Sequence, residues 1–214
     1  AAIIYGHEKD SFNEEDWTDT DAEGCSAYNK SKTYAEKAAW DFINSDECNM
    51  ELSVINPSLV LGPVLESDFG TRVELVKRIL NEGFHLPQKI TFRIVDVRDV
   101  AQLHLLALES PQASGNRFIA SSETLAIPLI SEFLRKKIPE YQKRLPKGTA
   151  PDFLIKLLGF FSPLMKTVAN QLGKTKELDN SKAKNILGWQ PRSGEEAVIA
   201  SAKSLIEFDI VKSP

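Results

Sequence analysis

Cysteine is nearly absent. Cys25 and Cys48 are the only two in 214 residues and form no C-x-x-C pair, which excludes a disulfide framework and points to a reducing compartment, the cytoplasm. Histidine is as scarce: His7, His85 and His104 lie far apart without metal-ligand spacing, so no metal is expected. Basic charge is not in surplus. The net charge is −4, which argues against a nucleic-acid partner, because neutralising phosphates needs a basic surface. The one basic concentration (Lys136, Lys137, Lys143, Arg144 and Lys147) has no aromatic ladder interleaved and reads as a solvated face. Long apolar runs are missing too. The longest, Phe153 to Leu172, is interrupted by Lys156, Pro163 and Lys166, so an amphipathic helix or helix pair is expected there and a membrane span is not. Glycines are never clustered. Gly6, Gly24, Gly62 and Gly70 are too far apart for the G-x-G-x-x-G turn that lets a pyrophosphate approach a helix N-terminus.

What remains is an ordinary globular composition, 42% hydrophobic and 26% charged, in a chain long enough for one domain or somewhat more. Strand and helix signals alternate. A strand end at Ala1 to Gly6 leads into an acidic, turn-rich loop over Glu8 to Glu23. A helix is predicted from about Ala27 to Asn44, with Tyr28, Ser31, Ala35, Ala38, Ala39, Phe42 and Ile43 on one stripe. Glu51 to Ile55 reads as a strand ended by Asn56-Pro57, and Leu59 to Pro63 as an apolar loop. Further helices are predicted over Thr71 to Asn81 with a stop at Gly83, and over Val100 to Leu108 capped by Asp99. Others follow over Thr124 to Lys136, Pro151 to Leu172, Ser181 to Leu187 and Glu195 to Phe208. Short strands are predicted at Phe92 to Val97 and Asn116 to Ala120. The alternation means α/β, and the helix-rich tail suggests a second lobe.

The sharpest chemical signal is Tyr28-Asn29-Lys30-Ser31-Lys32. Residues four apart on a helix share a face, so a phenol and an ammonium can point into one site. A free tyrosine has a pKa of roughly 10, and a neighbouring cation can lower a pKa by about 1–3 units, towards the range where proton transfer is useful. Spacing alone leaves open a surface tyrosine beside a solvated lysine. Tyr5-Gly6-His7-Glu8-Lys9 has the same spacing, but Gly6 and the polar loop disfavour a helix there.

Ser26 to Trp40, which contains this pair, resembles the active-site helix of extended short-chain dehydrogenases/reductases. The similarity is greatest to the branch of the NAD-dependent epimerase/dehydratase family that holds dihydroflavonol, cinnamoyl-CoA and aldehyde or ketone reductases. Four further segments resemble that branch in the same order: Asn56 to Pro63, Phe92 to Ala101, Ser114 to Ile119, and Leu187 to Pro191. The resemblance implies the C-terminal part of a Rossmann-type doubly wound parallel sheet plus a helix-rich substrate-binding lobe. Residues 1–62 and 92–120 would belong to the dinucleotide-binding domain, and 63–91 with 121–214 to the substrate lobe. It implies NADP or NAD as cofactor and reduction of a small-molecule carbonyl to an alcohol. Tyr28 would be the general acid. Lys32 would lower its pKa and bind the nicotinamide ribose, while Pro57, Ser58, Leu59 and Val60 would line the nicotinamide. It also implies a partner half of the same protein before Ala1, carrying a catalytic serine and the glycine-rich loop, so the fragment alone is expected to be inactive. Two other readings stand beside this one. A nucleotide-sugar epimerase or dehydratase shares Tyr-x-x-x-Lys, but Phe92 to Val97 lacks the Arg-Asp-aromatic run usual there. A non-catalytic NAD(P)-binding sensor or scaffold is opposed by the intact Tyr28 and Lys32. The charges of Asp96 to Asp99 are expected to anchor a helix, and Trp189 is expected to pack.

Overall fold

The computed structural model describes residues 6–45, 48–67, 73–82, 90–145, 148, 151, 153, 157, 160 and 177–214. The predicted strand end at residues 1–5, the helix stop at Gly83 and nearly all of the apolar stretch 153–172 lie outside the described residues. No helix among the described residues is long and apolar enough to cross a membrane.

The chain forms two compact units, the first built from Ala1–Ser58, Arg98–Ser121 and Lys176–Pro191, the second from Leu59–Val97, Ser122–Thr175 and Arg192–Pro214. In the first, the short strands β1 (Ser11–Phe12) and β7 (Glu177–Leu178) pair in parallel. So do β2 (Ser53–Pro57) and β5 (Asn116–Ala120), in a register that sets Ser53 opposite Asn116 and Pro57 opposite Ala120. The helices of this unit are α1 (Ala27–Ile43), α3 (Val97–Glu109) beyond its first residue, and α5 (Ser181–Leu187). Helix α5 packs on β5 and ends at Gly188, whose left-handed φ of 64° releases the chain towards the buried Trp189. The pairing of β7 and the packing of α5 put residues 177–191 in this unit, although residues 122–175, which precede them in sequence, belong to the second.

In the second unit, β3 (Leu59–Leu61) runs parallel to β4 (Thr91–Asp96), and β4 is antiparallel to β6 (Glu123–Ala126). Its helices among the described residues include α2 (Glu74–Glu82), α4 (Ile127–Lys137) and α6 (Gly194–Glu207). Leu61, Ile79, Leu80, Ile94, Leu134 and Leu205 are among the residues of one continuous core. Helix α6 begins with a reciprocal capping box, Ser193 Oγ accepting from the Glu196 N–H and the Glu196 carboxylate accepting from the Ser193 N–H.

Three sequence expectations are corrected. Leu59 to Leu61 form a strand rather than a loop, because β4 supplies a parallel partner that no local signal reveals. Residues 124–126 continue β6 and the helix starts at Ile127. Asp99 is not the cap of α3: the strand runs straight into the helix at Val97, and Asp99 is buried in the first turn, where a carboxylate faces the positive end of the helix dipole. The stripe of small residues on α1, whose partner the sequence leaves open, lies largely on the exposed side of the helix. Tyr28, Ser31, Ala35, Ala38 and Phe42 are exposed, while Asn29, Thr33, Glu36 and Trp40 form the less exposed side. A polar stripe can turn inward because its groups are satisfied there. Thr33 Oγ1 donates to the Asn29 carbonyl at 2.9 Å, and the Glu36 carboxylate accepts hydrogen bonds from two strands.

Candidate active site

The start of α1 is set by Ser26, whose backbone is extended and whose Oγ accepts the Asn29 N–H at 3.1 Å. This cap fixes the first turn and so the direction of Tyr28. Lys32 follows one turn later, and its ammonium lies 5.8 Å from the centre of the Tyr28 ring, at the outer reach of a cation–π contact. Tyr28 is 44% exposed and Lys32 is exposed. The phenol and the ammonium thus stand on one face of one helix, open to a ligand. The competing pair is different. Tyr5 lies outside the described residues, and Lys9 is bound to Asp16 at 2.5 Å. That hydrogen bond, partly offset by burial, holds the Asp16 carboxyl below the usual aspartate range.

Pro57 and Ser58 stand at the C-terminal end of β2, where the Ser58 N–H donates to the Ala120 carbonyl at 2.9 Å and continues the pairing with β5. Ligands of open parallel sheets bind outside the carboxyl ends of the strands, so the position suits a cofactor contact. Leu59 and Val60 belong to the second unit, opposite Ile94 and Val95 in the β3–β4 pair. The six sequence-derived residues therefore fall into three local groups: a helix face, a strand end and the start of the next strand.

The turn after β3 is held by two serines that sequence reasoning did not single out. Ser201 Oγ accepts the Gly62 N–H at 2.7 Å and lies within donor range of the Gly62 and Ala197 carbonyls, at 2.9 and 3.0 Å. Ser204 Oγ accepts the Val64 N–H at 2.9 Å. Gly62 itself has φ of 121°, and a Cβ there would meet Val97 Cγ1 at 2.9 Å and Asp96 Oδ1 at 3.0 Å. Ser201→Ala should cost about 1–3 kcal/mol by leaving the Gly62 N–H without its acceptor, measured as a lower denaturation midpoint in urea with an unchanged slope. An unchanged midpoint would show that water replaces the hydroxyl.

Glu36 was also missed. Its Oε1 accepts from Arg117 Nε on β5 at 2.6 Å and from Asn56 Nδ2 on β2 at 3.3 Å. The available signals were its spacing, one further turn beyond Tyr28 and Lys32, and a lone arginine in the strand sequence Asn116-Arg117-Phe118-Ile119-Ala120.

The donor set fits the nicotinamide-ribose end of a dinucleotide: an ammonium and a phenol reach solvent on successive turns and can bond ribose hydroxyls and a carbonyl oxygen. No glycine spacing in the chain fits the pyrophosphate. Among the described residues no group of three or more His, Cys, Asp or Glu could hold a metal ion.

Comparison with known proteins finds similar chains. NADPH-dependent methylglyoxal reductase GRE2 of Saccharomyces cerevisiae is 30% identical over 212 residues, 93% of this chain and 58% of that protein. Ketoreductase azaE of Aspergillus niger is 34% identical over 195 residues, 84% of this chain and 51% of that protein. The crystal structure of the yeast methylglyoxal/isovaleraldehyde reductase Gre2 with NADPH matches with a TM-score of 0.72 at 28% identity, covering 93% of this chain and 58% of that one. The chain thus spans under two thirds of the length of these relatives, which are NADPH-dependent or ketone-reducing oxidoreductases of Rossmann type. Residues 1–120 match the family described as NAD dependent epimerase/dehydratase, and the chain belongs to that family.

Proposed function

We propose that this chain carries the proton-donating and nicotinamide-ribose-side groups of an NADPH-dependent reductase that converts an aldehyde or ketone to an alcohol. The observation that carries the reading is the Tyr28–Lys32 pair, phenol and ammonium exposed on successive turns of α1. The named activities of its relatives support the choice of carbonyl reduction over sugar epimerisation.

The cofactor, when bound, supplies hydride to the carbonyl carbon. The protein's own work is at the oxygen. Tyr28 donates its phenolic proton to the oxygen as negative charge builds there, which removes the need for a free alkoxide. The Lys32 ammonium beside the ring favours the phenolate left behind, and it donates hydrogen bonds to the nicotinamide ribose. Pro57 and Ser58, with Leu59 and Val60 following in the chain, bound the nicotinamide side and exclude water. Residues 1–62 and 92–120 serve the dinucleotide, and 63–91 with 121–214 shape the carbonyl pocket. By themselves these 214 residues turn over little or no substrate, because the chain holds no glycine-rich phosphate cradle.

The test is NADPH consumption by the full-length protein across a panel of simple aldehydes and ketones. Consumption with at least one carbonyl supports the reading, whereas NADPH binding without turnover of any of them would favour a sensor or scaffold. Lys32→Met should lower kcat/KM for NADPH by about 10- to 100-fold, the loss of a charged hydrogen bond worth about 1.5–3 kcal/mol. Initial rates at varied NADPH measure it, and an unchanged kcat/KM would remove Lys32 from the site.

A further inference from the structure

We infer that Glu36 is a positioning residue that sets the distance between the Tyr28 phenol and the nicotinamide-side strand end, an inference that rests on the reductase reading above. Tyr28, Lys32 and Glu36 occupy successive turns of α1, so the angle and height of the first two follow from where the third is anchored. Glu36 is anchored twice. Its Oε1 accepts from Asn56 Nδ2, and Asn56 is the buried residue directly before Pro57 and Ser58. The same oxygen accepts from Arg117 Nε at 2.6 Å, and Arg117 lies opposite Val54 in the β2–β5 register. One carboxylate therefore ties the helix bearing the proton donor to both strands whose carboxyl ends would face the cofactor.

Arg117 extends the connection to the loop that enters α1. Its guanidinium stacks 3.8 Å from the centre of the Trp17 ring and donates to the backbone carbonyls of Glu14 and Asp16. The Glu14 carboxylate in turn accepts the Ile119 N–H at 2.9 Å. Loop 14–17, α1, β2 and β5 are thus referenced to one mostly buried ion pair, with only 16% and 12% of the two side chains exposed. A pair this enclosed is a weak source of net stability, since desolvation offsets much of its attraction. Its directional hydrogen bonds, by contrast, define geometry closely. A misplacement of the order of 1 Å at a reacting group can cost about 10²-fold in rate, so a link of this kind acts on kcat.

The experiment compares Glu36→Ala, Glu36→Gln and Tyr28→Phe with the parent in the full-length protein. Rates are taken well below each unfolding midpoint and normalised to folded enzyme by near-UV circular dichroism. The expected result for Glu36→Ala is a fall in kcat of about 10- to 100-fold with KM for the carbonyl changed by less than about threefold. Glu36→Gln keeps an acceptor for Asn56 but loses the charge facing Arg117, and it should fall between parent and alanine variant. A kcat for Glu36→Ala within about twofold of the parent, together with a lowered unfolding midpoint, would overturn the inference and leave Glu36 a purely structural residue. If Glu36→Ala does not fold, the near-isosteric Glu36→Gln decides by the same criterion. Tyr28→Phe separates the two levels. Loss of turnover there with parental Glu36 variants defeats only the positioning role, whereas parental turnover by Tyr28→Phe defeats the reductase assignment and the inference with it.

Discussion

Tyr28→Phe in the full-length protein should lower kcat for carbonyl reduction by about 10²–10⁴-fold, the range over which a positioned general acid contributes. Phenylalanine keeps the ring and its place above the Lys32 ammonium and removes only the hydroxyl. Tyr28 is 44% exposed on the first turn of a capped helix, so its removal costs little packing and the effect should not come through folding. KM for the carbonyl should change far less than kcat, because the proton is needed as charge develops on the oxygen and not in the ground state. Steady-state kinetics on the best substrate of the panel, with the unfolding midpoint recorded in parallel, make the measurement. Retention of more than about a tenth of the parental kcat would assign proton donation to another group, since no general acid in its expected range contributes so little.

Trp189→Ala should be the most damaging single change to stability, at about 3–5 kcal/mol. Trp189 has no exposed surface and is among the largest fully buried side chains. Its indole Nε1 donates to the Asp99 carbonyl at 3.0 Å, ninety positions away in sequence. Truncation therefore removes apolar burial, opens a cavity and leaves the Asp99 carbonyl without this donor. For a protein of this size the loss corresponds to a fall in unfolding midpoint of roughly 10 °C or more. Trp189→Phe keeps most of the buried area and should cost only about a third as much. Equal losses in the two variants would place the energy in the hydrogen bond. A negligible loss in both would show that the first unit repacks around the site.

The two predictions probe different kinds of legibility. The shared face of Tyr28 and Lys32 was legible because helix geometry turns a spacing of four into one side of a helix. Local rules also placed α5 and α6 to within a residue or two. The reading failed where a residue's fate depended on a partner remote in sequence. Leu59 to Leu61 look like an apolar loop until β4, some thirty-five residues on, offers its edge. No local signal on α1 shows that its less exposed side holds Glu36, because the charge that meets it is on Arg117, 81 residues away.

The sequence by itself determined the α/β class, the helix with its phenol and ammonium, the absence of a phosphate cradle in this chain, and the family resemblance that the comparisons support. Each of these follows from properties within a few residues of one another, or from motif order. Only the tertiary structure decided which segments make up each compact unit, the strand identity of Leu59 to Leu61, the burial of Asp96 and Asp99, and the links from Glu36 and Ser201. Those depend on hydrogen-bonding groups finding partners dozens of residues away, and an unmet buried polar group costs enough that such partners, rather than local preference, choose which face turns inward.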